Sequence, residues 1–437
     1  MTDLLASALG CALTAALIFV LRPVAMSVGL VDVPDARKSH QGPIPLVGGL
    51  AIFASVLAAS LVPGLTGLSI AAPEDLSFVV AGLILVGVGL VDDFIELSPA
   101  SRFLAQALAT LAMVYGARVV LADLGAMTPS GAMLELGLAA MPFTLFATVG
   151  VINALNMCDG LDGLSGSQAL VSLAGFGLAL VLWGPDGNAG LLMVMAGGIV
   201  GFLLFNLRLP GRARASIFLG DAGSMFLGFA LTWFAISLSQ GPDRVIKPAA
   251  ALWFIMVPVM DAVAMMLRRV VRGRSPFSPD REHLHHIFLL AGFSVNQTVA
   301  IMALLGAAGV AVGLLGTWLG VPDLLLAGAF LLAGMLYFWM IMHSWRVMRF
   351  LRRSICRRRS LMADRRSNVD RRQSAGHGYA GPERRSGVER RQALPRRAGD
   401  MERNRACLPP QRKLPESRLP QEAAAARLGS LHGSGVG

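Results

Sequence analysis

Val151-Ile152-Asn153-Ala154-Leu155-Asn156-Met157-Cys158-Asp159-Gly160-Leu161-Asp162-Gly163-Leu164 closes an apolar stretch that begins near residue 133. Two amides and two carboxylates therefore stand at the mouth of a membrane span, where unpaired acids are costly. Asn156 and Asp159 are three residues apart, as are Asp159 and Asp162, but Gly160 and Gly163 weaken a regular helix. The segment reads as partly unwound, with its oxygens turned into a wet cavity that suits a hard divalent cation or a polar ligand.

Composition agrees with a membrane reading. Of 437 residues, 54% are hydrophobic and only 15% charged, whereas a soluble domain carries about a quarter charged residues. The chain is expected to be all-α and polytopic. Windows of about 19 residues place eleven spans, near 4–21, 46–70, 77–91, 103–122, 133–152, 166–183, 189–205, 222–239, 248–267, 298–318 and 322–342. Pro63 and Gly64 mark a kink or an early exit in the second. The first 30 residues show no basic n-region or small-residue cleavage site, so span 1 is expected to be a retained anchor. Four cysteines, Cys11, Cys158, Cys356 and Cys407, show no paired spacing.

The formal charge of +11 does not indicate nucleic acid. Residues 346–437 hold 23 Lys and Arg against 8 Asp and Glu, a net of +15, while residues 1–345 hold 15 against 19, a net of −4. Two units follow, a transmembrane domain over 1–345 and a basic cytoplasmic tail over 346–437. The tail contains a near-repeat, Asp364 to Gln373 and Glu383 to Gln392, and too few large apolar residues to fold alone. Its basic start suits anionic lipid headgroups; a passive solvated extension is the alternative.

With the N-terminus outside, twelve basic residues of the transmembrane domain fall in inward loops and only Arg118, Arg244 and Lys247 in outward ones. That bias is the positive-inside signature. Every acidic, amide or imidazole cluster falls on the same inner side, which marks one active surface at the cytoplasmic boundary.

Four more clusters lie there. Pro34 to Gly49 offers Arg37, Lys38 and His40 on a Pro- and Gly-rich loop, a set suited to phosphate or simply a positive-inside turn. Asp92 and Asp93 end span 3; adjacent helical residues point about 100° apart, so one can face a cavity while the other orients it or binds a cation. Arg102 lies within reach to compensate them. Gly220-Asp221-Ala-Gly-Ser224 opens span 8, where Asp221 could cap the helix and free N–H groups could receive a phosphate. Finally, Ser275 to His286 carries Arg281, His283, His285 and His286. Adjacent His285 and His286 do not share a helical face and no cysteine or acid completes a zinc spacing, so anion contact is favoured. Together these groups suit phosphoryl chemistry with a divalent ion.

In order and spacing, the Asp-Asp pair at 92 and 93, the Asn-x-x-Asn-x-x-Asp-Gly-Leu-Asp-Gly-Leu run at 153–164, Gly-Asp-Ala-Gly-Ser at 220–224 and His-x-His-His at 283–286 resemble the polyprenyl-phosphate N-acetylhexosamine-1-phosphate transferases of glycosyltransferase family 4. The Ser-Pro-Phe-Ser-Pro-Asp-Arg run at 275–281 and the interruption of the histidines by Leu284 are similar to the branch acting on UDP-N-acetylglucosamine rather than on the muramoyl-pentapeptide nucleotide. Other UDP-N-acetylated sugars stay open. The resemblance implies transfer of N-acetylglucosamine 1-phosphate to undecaprenyl phosphate with Mg²⁺, or Mn²⁺ in its place. It implies Asp92 and Asp93 as catalytic acids facing the lipid phosphate, and Asn156 and Asp221 as metal ligands. Asp162 is implied to read the uracil, and Arg102 to sit near the phosphates. Arg281, His283, His285 and His286 are implied to contact the diphosphate or sugar. Asp159 matches a family acid without a fixed role and is grouped, like Lys38, with substrate binding. The other class considered, a transporter of nucleotide-sugar or lipid-linked anions, should show inverted repeats and midplane charges, and the sequence shows neither.

Overall fold

The structure is a computed structural model, describing residues 2–33, 42–69, 71–184, 189–276 and 283–350. Lys38 and Arg281, and the tail beyond Phe350, lie outside those residues.

The described chain is mostly helical. Its helices are α1 (Thr2–Val28), α2 (Gly48–Ala59), the single turn α3 (Pro63–Thr66), α4 (Pro73–Ile95), α5 (Pro99–Ala117), α6 (Ala140–Cys158), α7 (Leu164–Trp183) and α8 (Gly190–Asn206). They continue with α9 (Gly220–Ser237), α10 (Pro248–Phe254), α11 (Met256–Val271), α12 (Leu284–Ala291), α13 (Val295–Trp318) and α14 (Asp323–Met342). Two short antiparallel ribbons complete the set, β1 (Val31–Asp32) with β2 (Ile44–Pro45) and β3 (Asp123–Ala126) with β4 (Met133–Glu135).

A helix occupies each of the eleven apolar stretches, but among the described residues six are long and apolar enough to cross a membrane, or seven if α10 and α11 count as one bent span. The helices α2 and α8 are apolar but short. At 1.5 Å per residue, the 12 residues of α2 reach about 18 Å, well short of a hydrocarbon core of about 30 Å. Its early end has the cause the sequence suggested: Pro63 starts a separate turn rather than extending α2.

The 84° bend between α10 and α11 has an identifiable origin. Pro258 has no N–H to return to the carbonyl of Phe254, four residues back, and the Ser172 hydroxyl of α7 donates to that carbonyl instead, at 2.7 Å. A neighbouring helix thus satisfies a backbone group that the apolar interior would otherwise leave bare.

Helix α9 is the hub, with almost its whole length buried and α2, α4, α6, α7 and α10 packed around it. Small residues let the backbones close. A methyl group on Gly49 would collide with the Gly223 backbone, one on Gly89 with Ala222, and one on Gly228 would come 2.6 Å from the Ile152 Cα. This is the close approach of small residues by which membrane helices gain van der Waals contact. Phe78, Phe226, Phe229 and Trp233 fill the remaining space with edge-to-face and tilted contacts.

Gly49→Val should therefore separate α2 from α9. The expected result is a fall of about 2–6 °C in the thermal unfolding midpoint of the detergent-solubilised protein, since overpacking costs about 1–3 kcal/mol and backbone clashes cannot relax by rotamer change. An unchanged midpoint would show that the α2–α9 contact is not the tight one described.

Candidate active site

The C-terminal ends of α4 and α6, the N-terminal end of α9 and the start of α12 meet at one end of the bundle. The link begins before α9. The amide of Phe218 donates to Pro45 O at 2.8 Å, while Gly48 and Gly49 donate to the carbonyls of Phe218 and Leu219 at 3.0 and 2.9 Å. Those bonds clamp the described end of the Pro34–Gly49 cluster beside Asp221.

The paired acids divide their work. Asp93 accepts from the backbone amides of Asp221 and Ala222, at 2.8 and 3.4 Å. Its carboxylate thus occupies N–H groups at the start of α9 that the sequence reading left open for a phosphate. Asp221 is not the cap of that helix either: Leu219 holds the N-cap position and Asp221 lies inside the first turn, so its side chain is available for other partners. Asp92, almost fully buried, accepts from the Leu97 amide at 2.6 Å and faces Arg102 Nη1 at 3.3 Å.

Asn156 joins the other side. Its Nδ2 donates to Asp221 Oδ1 at 2.6 Å and to Ser224 Oγ at 2.8 Å. Asn153 turns away, donating to Gln106 Oε1 of α5 and to the Val149 carbonyl, both at 2.8 Å. As expected from its glycines, the helix stops after Asn156: α6 ends at Cys158, Gly163 takes a left-handed φ of +85°, and α7 starts at Leu164. Between them Asp159 accepts from the Ser165 hydroxyl. Burial pushes the Asp159 carboxyl up to about 7, against the pull of Ser165 and with the help of the Asp221 and Asp162 charges. Negative charge is in excess here.

Asp162 Oδ2 accepts from Arg208 Nε at 2.7 Å and from the Ala215 amide at 3.1 Å. Asn206 bridges the same two loops, accepting from Gly163 N at 2.6 Å and donating to Ile217 O at 2.9 Å.

The histidines close the cluster. His285 is 1% exposed and lies against the loop, since a methyl on Gly160 would come 2.7 Å from its Nε2. Neither ring nitrogen has a hydrogen-bond partner among the described residues. Burial, with His286 and His283 alongside and Asp261 opposing, pulls this imidazole down to about 3, so at neutral pH it meets an anion through a neutral ring N–H. His286 lies closer to it than adjacent helical positions suggested, with ring centroids 4.1 Å apart. His283 stacks on His285 with centroids 5.5 Å apart and planes 9° from parallel.

Asp92, Asp93, Arg102, Asn156, Asp159, Asp162, Asp221, His283, His285 and His286 thus form one connected polar region, drawn from chain positions nearly 200 residues apart. Sequence reasoning missed Ser165, Arg208, Ser224, Asp261 and Tyr337. Ser165 and Arg208 gave no local sign, and Ser224 stood out only as the last residue of the Gly-Asp-Ala-Gly-Ser motif. Asp261 did: it is a lone acid inside the apolar stretch 248–267, and such an acid marks function or a buried partner.

A helical bundle with several apolar helices of spanning length and an acidic cluster at one end defines a multi-pass membrane protein built around a polar site. The chain belongs to glycosyl transferase family 4, whose family description matches residues 76–239 and so contains the paired acids, the Asn156–Asp162 loop and Asp221. It is 41% identical over 317 residues to the undecaprenyl-phosphate alpha-N-acetylglucosaminyl 1-phosphate transferase of Yersinia pestis, covering 72% of this chain and 85% of that one. The protein of the same name from Escherichia coli K12 is 38% identical, over 70% of this chain and 81% of its own. That from Haemophilus influenzae is 34% identical, over 68% and 82%.

Proposed function

We propose that this protein transfers N-acetylglucosamine 1-phosphate from UDP-N-acetylglucosamine to undecaprenyl phosphate, giving undecaprenyl-diphospho-N-acetylglucosamine and UMP. This would be the first membrane step of a cell-surface polysaccharide such as O-antigen. The observation that carries the reading is the meeting of Asp92–Arg102, Asn156–Asp221 and His285 at one end of the bundle in a chain 41% identical to a transferase of that name. In this reading the chain is a multi-pass protein of the bacterial inner membrane, and the site and the tail are cytoplasmic, in keeping with the loop charges.

The donor set fits Mg²⁺. It is made of oxygens and carries more negative charge than Arg102 and Arg208 offset, and burial together with the Asp221 and Asp162 charges raises the Asp159 carboxyl. Among the described residues no three acids, histidines or cysteines form a preformed cage, which suits an ion that binds through one or two carboxylates plus substrate phosphates and water. Asp221 and Asn156, whose amide oxygen is not used in the Asp221 contact, would hold it. When bound, the ion neutralises charge on the pyrophosphate.

The lipid phosphate needs little activation, because a phosphate monoester with a second pKa near 6 is mostly a dianion at neutral pH. Its oxygen attacks the β-phosphorus, the bond from that phosphorus to the bridging oxygen breaks, and UMP leaves with the electron pair. Asp92 and Arg102 position the incoming phosphate, and Asp93 holds the start of α9 so that Asp221 faces the donor. The histidine segment lines the diphosphate side. A neutral His285 supplies N–H donation there rather than a full charge.

Purified protein with undecaprenyl phosphate, Mg²⁺ and a panel of UDP-sugars provides the test. UMP release is expected with UDP-N-acetylglucosamine at least about tenfold above other UDP-N-acetylhexosamines, and only when lipid is present. Release with a different sugar would reassign the donor, and UMP exchange without lipid would favour a covalent aspartyl intermediate over direct attack. Uptake of UDP-sugar into vesicles with no UMP formed would replace the enzyme by a transporter.

A further inference from the structure

Beneath the histidines lies a buried carboxylate that neither paired acid touches. Asp261, on α11, is 1% exposed and accepts three hydrogen bonds. They come from His283 Nδ1 at 2.8 Å, from the backbone amide of Leu284 at 3.2 Å, and from the Tyr337 hydroxyl of α14 at 2.7 Å. Helix α12 has no side-chain cap of its own, so Asp261 caps it from another helix, taking up one of the amides that a helix start leaves unpaired. Two apolar clusters grip the far side of α12, one around Leu284, Phe288 and Val299 and one around Ile287, Met265 and Ile341. The segment is thus pinned on its polar and apolar faces.

We propose that Asp261 and Tyr337 are positioning residues for nucleotide-sugar binding: together they fix His283 and, through its ring stack, aim His285 at the Asn156–Asp162 loop. The donated Nδ1–H sets the His283 tautomer and leaves Nε2 facing away from Asp261. A ring held by a carboxylate on one nitrogen presents the other in a fixed direction. The stack, with planes 9° apart, passes that orientation to His285, whose two nitrogens are buried and unpaired among the described residues, as expected of groups awaiting a ligand. Tyr337 makes α14, which lies beyond the 76–239 family match, part of the site.

The inference rests on the proposed transferase reading for its kinetic arm only. Tyr337→Phe removes one donor and is expected to raise the KM for UDP-N-acetylglucosamine about 3- to 10-fold. Asp261→Asn keeps the shape but loses the charge and places an amide against a donor, and a rise of about 30-fold or more is expected, because hydrogen bonds to charged groups are the stronger ones. The KM for undecaprenyl phosphate should stay within about twofold in both, a split that general damage to the fold would not produce. Unchanged donor KM in both variants, or equal loss for both substrates, overturns the proposal. Should Asp261→Asn not be recovered folded, Tyr337→Phe decides alone by the same criterion. Nitrogen-15 NMR of histidine-labelled protein gives an arm independent of catalysis. His283 should carry its proton on Nδ1 in the wild type and lose that preference in Asp261→Asn. The opposite tautomer in the wild type would overturn the positioning role even if UMP release were normal, while absent UMP release with the expected tautomer would sink the transferase reading and leave the Asp261–His283 assignment standing.

Discussion

Asp221→Asn should cut Mg²⁺-dependent UMP release by at least about a thousandfold while the protein still inserts and folds. The substitution preserves volume and leaves the backbone amide that Asp93 accepts from, so α9 stays capped. What is lost is one negative charge at the point where α4, α6 and α9 meet, and with it an oxygen ligand of the proposed ion. Metal stabilisation of transferring phosphate is worth several kcal/mol, and about 4 kcal/mol corresponds to a thousandfold in rate. Asn156 makes the variant harsher still. Its Nδ2 now donates to Asp221 Oδ1 at 2.6 Å, and an amide at 221 would have to turn its own oxygen toward that donor, leaving an NH₂ group where a cation should sit. Activity should not return with excess Mg²⁺. Near-wild-type turnover at ordinary Mg²⁺ concentration would remove Asp221 from the metal site.

Much of this site was legible because its chemistry is incompatible with its surroundings. Charged and amide groups at the ends of apolar helices have few structural explanations, so Asp92, Asn156, Asp159 and Asp221 stood out, and two glycines foretold the break before α7. What the sequence did not reveal is partnership. Nothing in the spacing says that Asp93 reaches across 128 residues to cap α9, that Arg208 takes Asp162, or that a proline's lost hydrogen bond is answered from α7. These contacts arise from tertiary packing around α9, which glycine backbones make close. The membrane count was less legible for a related reason. Hydropathy measures apolarity, whereas α9 is buried in protein along its length and can carry Asp221 at its start without meeting lipid, and α2 is apolar but too short to span by itself.

The division of labour between the paired acids leads to a second large effect, of a different kind at each position. Asp92→Asn is expected to lower kcat by about a hundredfold or more with little change in the KM for UDP-sugar. Asp92 caps no helix of the donor side, although its carboxyl also meets that of Asp221; it holds Arg102 at 3.3 Å, on the side of the site proposed for the lipid phosphate. Neutralising it frees the guanidinium from its only ion pair among the described residues, so the incoming phosphate dianion meets a misplaced cation and loses its in-line approach. Misplacement of about 1 Å can cost a hundredfold. Asp93→Asn should behave otherwise. One carboxylate oxygen accepts from Asp221 N and the other from Ala222 N; an amide can keep the first bond but sets its NH₂ against the second donor, which disturbs the start of α9 and with it Asp221. The expected signature is a lower thermal midpoint, by about 1–3 °C, together with a raised Mg²⁺ requirement, because loss of a helix-capping acceptor costs about 1 kcal/mol and the displaced group is a proposed metal ligand. Arg102→Lys discriminates further: it retains a charge beside Asp92 but not the planar fork, so it should resemble Asp92→Asn in kcat and leave the midpoint unchanged. If Asp92→Asn and Asp93→Asn instead prove indistinguishable in kcat, Mg²⁺ dependence and midpoint, then the two carboxylates act as one unit and the separation drawn from their different partners is wrong.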